Sequence, residues 1–188
     1  VISTRGILAY RKNLNDDKAN FKQIKNNIND FINIEQFLKN YQISLKDLSI
    51  FNKKIYISYV EEIEEDCWNT SVMSGDINYE NINFKKIFSS KKCIHSSNNI
   101  DREFTPGGSG GRIVKYDDKH ILLSLGVYRS RFLAQDKENV NGKVIKINII
   151  NGDYKIISMG HRNPQGLYFD KEKNFILETE HGPQGGDE

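Results

Sequence analysis

The sequence contains no apolar run approaching the roughly 20 residues a membrane-spanning helix requires. Nor does one charge dominate: 27 Lys and Arg stand against 25 Asp and Glu, a formal net charge of +2. Nonspecific nucleic-acid binding draws on a concentrated surplus of cations, so this balance, with lysines scattered singly and in pairs, argues against a nucleic-acid partner. Proline is scarce at three residues, and glycine is nearly absent from the first half. Only Gly6 and Gly75 precede residue 105; the other 12 of the 14 glycines follow it, together with Pro106, Pro164 and Pro183. Particular backbone geometry is therefore demanded in the second part. Two cysteines, Cys67 and Cys93, are too few to build a four-ligand zinc site alone. They read either as buried thiols or as one disulfide closing a loop of about 25 residues, worth about 3 kcal/mol if unstrained. The disulfide is preferred, and it favours an oxidising compartment, periplasmic or secreted.

What is present is a chain of 188 residues, 37% hydrophobic and 11% aromatic, enough for an ordinary core and too apolar for a disordered tail. It begins at Val1 without Met and stops in loop chemistry, and so reads as an excerpt of a longer protein. Short β-type runs dominate, at 2–10, 45–50, 54–60, 70–77, 84–88, 111–116, 120–125, 143–149, 154–159, 166–170 and 174–179. In the 54–60 run Ile55, Ile57 and Tyr59 share one face and Tyr56, Ser58 and Val60 the other, so both faces carry bulk, as in a strand held between sheets. The one helix candidate is 26–38, where Asn and β-branched residues make a pair of strands an equal reading. The acidic stretch 61–66 reads as a solvated loop. Many short strands with polar turns predict an all-β sandwich, barrel or propeller.

Three segments carry possible chemistry. Gly160-His161-Arg162-Asn163-Pro164-Gln165-Gly166-Leu167 gathers a cation, an imidazole and two amides at a strand-to-strand corner. Arg162 offers a planar fork of donors to carboxylates or quinone oxygens, with Asn163 beside it; the competing reading is a turn whose Arg pairs with a neighbouring acid. Glu180-His181-Gly182-Pro183-Gln184-Gly185-Gly186-Asp187-Glu188 supplies backbone carbonyls and carboxylates, the hard oxygen donors that calcium takes; an ordinary exposed turn is the alternative. Pro106-Gly107-Gly108-Ser109-Gly110-Gly111-Arg112-Ile113 fits neither a P-loop nor a dinucleotide fingerprint. Its glycines imply close backbone approach to a packed sheet or a ligand, and Arg112 reads as an internal anchor.

In order along the chain these segments resemble the soluble glucose/sorbosone dehydrogenases, the quinoprotein aldose sugar dehydrogenases. The resemblance is carried by Gly110–Val114, 123–126, 134–136, 142–148 and then the two tandem motifs 160–167 and 180–188, covering roughly residues 105–188. It implies a six-bladed β-propeller of which this chain supplies about three four-stranded blades. It also implies pyrroloquinoline quinone (PQQ) with Ca²⁺, a sugar substrate oxidised at its C1 hydroxyl, and an external electron acceptor. By the same resemblance Arg162 and Asn163 contact the quinone, and Gly182 and Pro183 offer carbonyls to its calcium. Asp187 and Glu188 serve a nearby calcium. One departure matters: enzymes of the family carry a general-base His four residues before the strand-opening Arg, and here that position is Gly108. A non-catalytic calcium-binding propeller is therefore the alternative, unless a loop brings His95 back as base.

Overall fold

The computed structural model describes residues 1–182. In chain order the strands are β1 (Leu8–Arg11) and β2 (Phe21–Asn26), followed by the short helix α1 (Ile34–Lys39). Then come β3 (Leu45–Phe51), β4 (Lys54–Glu64), β5 (Cys67–Asp76), β6 (Asn81–Ile82) and β7 (Lys85–Phe88). The second half holds β8 (Gly110–Lys115), β9 (His120–Leu125), β10 (Lys143–Asn148), β11 (Tyr154–Met159), β12 (Pro164–Asp170) and β13 (Phe175–Glu180). Two antiparallel four-stranded sheets result, ordered β3-β4-β5-β7 and β8-β9-β10-β11. A β12-β13 hairpin follows, and a three-stranded sheet β1-β2-β6 lies at the start, with β6 parallel to β2. The all-β expectation holds. The expectation of about three four-stranded blades does not: the described residues complete two such sheets, and the hairpin supplies only a pair of strands.

The patterning of β4 explains where the core lies. Ile55, Ile57 and Tyr59 enter one apolar cluster with Leu8, Ile24, Ile28, Trp68, Met73 and Phe84. Tyr56, on the opposite face, enters a second cluster with Val72, Phe88, Ile113, Leu123, Ile145 and Ile147, between the two four-stranded sheets. A side chain of this size contributes about 1.5–3 kcal/mol when fully buried. The β3–β4 turn at Asn52 and Lys53 has positive φ at both residues (50° and 59°), the twist-matched geometry of a two-residue hairpin.

Two local expectations are corrected. Over 26–38 the structure forms neither a long helix nor a strand pair, but a 3₁₀ turn at Ile28–Asp30 and then α1, only six residues long. Asn33 caps α1, accepting from Gln36 N at 2.9 Å in a capping box. The acidic stretch 61–66 is not a solvated loop: β4 runs through Glu64, and Glu61 is buried. Its carboxylate is held by Lys86 Nζ and by the hydroxyls of Ser71 (2.6 Å) and Ser89 (3.0 Å). Trp68, 4% exposed, packs with Phe104 in the core. Cys67 and Cys93 are disulfide-bonded, with Cα atoms 5.2 Å apart.

Candidate functional site

The first strands of successive sheets lie side by side, with β8 packed against both β3 and β12. A bulge interrupts the ladder of each of the three. These irregularities free backbone groups for contacts between sheets. Asp47 on β3 accepts from Ile113 N (2.8 Å) and Arg112 Nη1 (2.9 Å), and Arg112 Nε donates to Gln165 O on β12 (3.1 Å). Arg112 is thus the internal anchor expected of it. The glycines beside it serve the same packing. A Cβ on Gly110, whose φ is +64°, would lie 2.9 Å from Gly126 N and 3.0 Å from Pro164 O. In the described residues the glycine-rich loop therefore approaches packed backbone. Ser109 within it is fully buried.

The 160–167 corner is built from this platform. Gly160 N and His161 N both donate to Gly142 O at 3.1 Å, and Val127 N donates to Arg162 O at 2.9 Å. Asn163 Oδ1 accepts from Gly110 N (3.1 Å), joining the corner to the glycine-rich loop. Glu180, at the end of β13, accepts from both Arg162 N and Asn163 N on a single oxygen, the latter at 3.0 Å. One carboxylate thus satisfies two consecutive backbone donors, a charge-assisted contact that sets the direction in which Arg162 leaves the chain. Burial pushes the His161 imidazole below its ordinary pKa range; Glu180 opposes that shift and the Lys143 charge adds to it.

The described start of the second motif, residues 180–182, meets the first. Arg162 Nη1 donates to His181 O at 2.9 Å and also to Gly182 O, and His181 N donates to Asn163 O at 3.3 Å. Of the expected site residues, Arg162, Asn163 and Gly182 are therefore brought together. Pro183, Asp187 and Glu188 lie outside the described residues. The cleft over this junction is lined by Gln42, Thr105, Gly108, Arg129, Arg162 and His181, among others. Gly108 does line it, so the position expected for a general base faces the cleft with no side chain. His95 does not line it; among the described residues the imidazole on this cleft is that of His181, whose Nε2 lies 3.1 Å from Gln165 Oε1. Arg129 and the Gln42–Thr105 pair (2.8 Å) had no signal in the sequence, because each comes from a segment remote from the motifs. Glu180 was legible only as the first letter of its motif.

The junction offers the guanidinium groups of Arg129 and Arg162, the His181 imidazole, the amides of Gln42, Asn163 and Gln165, and, as acceptors, the carbonyls of His181 and Gly182. That set suits an acidic planar ligand together with a hard cation.

The sequence model of the family described as Glucose / Sorbosone dehydrogenase matches residues 42–188. The aldose sugar dehydrogenase YliI of Escherichia coli K12 is 27% identical over 154 residues, 73% of this chain and 39% of that protein. The crystal structure of the soluble aldose sugar dehydrogenase from Escherichia coli, in its apo form, superposes with a TM-score of 0.63 at 25% identity, over 78% of this chain and 46% of that one. The PQQ-bound form of the aldose sugar dehydrogenase from Streptomyces coelicolor shares the fold with a TM-score of 0.53 at 20% identity, over 73% and 40%. The chain thus spans less than half the length of these relatives. With the family model matched over residues 42–188, this chain belongs to the glucose/sorbosone dehydrogenase family.

Proposed function

We propose that the protein is a PQQ- and calcium-dependent oxidoreductase that oxidises the C1 hydroxyl of aldose sugars and passes the electrons to an external acceptor. In this reading its sheets form part of a six-bladed propeller, and the disulfide suits a periplasmic or secreted location. The observation that carries the reading is the meeting of Arg162 with the Gly182 carbonyl. The donor set fits the group: Arg162 and Asn163 would hold the acidic quinone, and the carbonyls of Gly182 and Pro183 would hold calcium, with Asp187 and Glu188 serving a neighbouring ion. When bound, PQQ supplies a two-electron acceptor that calcium polarises. The chain's own part is to orient and to move a proton. Glu180 fixes the Arg162 corner, and in this reading His181, an imidazole lining the cleft, would take the hydroxyl proton.

A second reading, a calcium-binding module without catalysis, is favoured by one observation. Gly108 stands where the base is expected, and positioned acid–base catalysis is worth about 10²–10⁴-fold. Titrating the protein with PQQ in the presence of Ca²⁺, followed by quinone absorbance and by dye reduction with a panel of aldoses, separates the two. The dehydrogenase reading expects both signals. Binding without dye reduction by any sugar supports the module, and no binding at all removes the cofactor assignment. Arg162→Ala is expected to weaken PQQ binding by about 10–100-fold, the loss of one charge-assisted contact, with a much smaller change in thermal stability. Equal affinity refutes the role given to Arg162.

A further inference from the structure

Beside the corner, but apart from the cleft, three side chains with metal-ligating atoms converge. Among the described residues His161, Glu178 and Glu180 form the set whose ligand atoms all lie within 4.8 Å of one another. Glu178 and Glu180 are two residues apart on β13 and so project from the same face. His161 reaches them from the turn between β11 and β12. Its Nδ1 lies 3.4 Å from Glu178 Oε2 and 3.9 Å from Glu180 Oε1. The three side chains are 15%, 17% and 12% exposed, enough for entry and dry enough for a strong bond.

Three details go beyond an ordinary ion pair. The other ring nitrogen of His161, Nε2, is 2.8 Å from Ser158 Oγ. Such an outer hydrogen bond fixes the ring and tautomer of metal-bound imidazoles and here turns Nδ1 to the carboxylates. The oxygens of Glu180 are divided in labour: Oε2 takes the two backbone amides, while Oε1 faces His161. Finally, the spacing of 3.4 to 3.9 Å approaches the edge of about 3.3 Å in a tetrahedron with bonds of about 2.0–2.1 Å. One imidazole with two carboxylates is a donor set for zinc and similar ions, whereas calcium takes oxygen alone. The neighbouring Lys143 ammonium is spent on the carbonyls of Leu133, Ala134 and Asn141, each at 2.9 Å.

We propose that His161, Glu178 and Glu180 form a divalent metal site of the zinc type that clamps the corner carrying Arg162 to the end of β13. The site shares Glu180 with the 180–188 motif but uses its side chain with those of His161 and Glu178, and it does not depend on the PQQ assignment. Zn²⁺ titrated by calorimetry into chelator-treated protein, in calcium-containing buffer, is expected to bind one ion per chain. Glu178→Gln and His161→Asn are each expected to weaken that binding at least tenfold. Co²⁺ is expected to give the visible absorption of a four-coordinate site in the wild type and to lose it in Glu178→Gln. Far-UV circular dichroism of the metal-free variants checks their fold, and the wild-type cobalt spectrum stands even if a variant misfolds. Absence of one-to-one zinc binding, absence of the four-coordinate cobalt signal, or unchanged zinc affinity in a folded Glu178→Gln overturns the site. PQQ absorbance, read on the zinc-free wild type, tests the quinone reading separately, so failure of the metal site and failure of the quinone reading give different results.

Discussion

A Cβ added at Gly108 would meet Tyr128 Cα at 3.4 Å and Thr105 Cγ2 at 3.5 Å, ordinary contacts, so the backbone accepts a Cβ where the family's base is expected. If the protein is the quinoprotein proposed and His181 does not fully replace a base at position 108, Gly108→His, loaded with PQQ and calcium, is expected to raise the rate of aldose-dependent dye reduction by about 10²-fold or more. A rate equal to that of the parent places the limit elsewhere. Asp66 shows residue-scale electrostatics away from the site. Burial works to raise its pKa, but the hydroxyls and backbone amides of Ser96 and Ser97 outweigh that and hold the carboxyl well below its usual range. A folded-state pKa below the unfolded value of about 3.9 means the stabilisation is fully present above that pH and disappears as the pH falls through the lowered folded value. Asp66→Asn, which suits the positive φ of 55° at this turn, is expected to cost about 1 kcal/mol at pH 7 after allowance for solvent screening. Urea unfolding at successively lower pH is expected to show that difference shrinking toward zero. At this scale the sequence marked Arg162 and Gly108 but not Glu180, because a carboxylate that caps two amides across a hairpin looks like any surface acid until the strands pair.

Among the elements, β5 is tied at its start by the disulfide from Cys67 to Cys93 and by reciprocal backbone bonds of 2.9 Å between Trp68 and Ile94. The bond closes a separation of 26 residues, and reducing it or replacing both cysteines with Ser is expected to lower unfolding free energy by about 3 kcal/mol. Chemical denaturation with and without reductant reads this directly, and coincident curves would show that the cross-link adds nothing. The strands of the second half were legible because their apolar runs are bounded by Asp, Asn and Gly turns. The stretch 21–38 was not. Its Asn-rich composition supports neither helix nor strand strongly, and pairing of β2 with β1 and β6 decided the outcome. The run of acids at 61–66 misled for a related reason. Charge density signals exposure, yet Lys86, Ser71 and Ser89 satisfy Glu61 and let β4 continue.

Across the whole molecule, the sheets are fastened through Asp47, Arg112 and Gln165, one residue from the first strand of each successive sheet. Asp47 is nearly buried, and its carboxylate serves both the Arg112 guanidinium and the Ile113 amide that the β8 bulge releases. Asp47→Ala is expected to destabilise the protein by about 2 kcal/mol, since it leaves a guanidinium and a backbone donor without their acceptor. The thermal midpoint is the check, and a shift within the scatter of replicate melts would show that apolar contact alone holds the sheets together. The same seam sets the distance between the glycine-rich loop and the Arg162 corner through the Gly110–Asn163 bond, so packing and site geometry share one origin.

Local chemistry written into the sequence was enough to establish the strand-rich character, the preferred cysteine pairing and the two motifs that mark the family, since turns, alternation and donor type are properties of neighbouring residues. The tertiary structure alone decided that Arg162 meets the Gly182 carbonyl, that Glu180 braces the corner and that His161, Glu178 and Glu180 come together. Those relations join residues 17 to 20 positions apart across an antiparallel hairpin. Their partners exist only once backbone pairing has fixed the register, because a slip of one residue would turn each of those side chains to the opposite face.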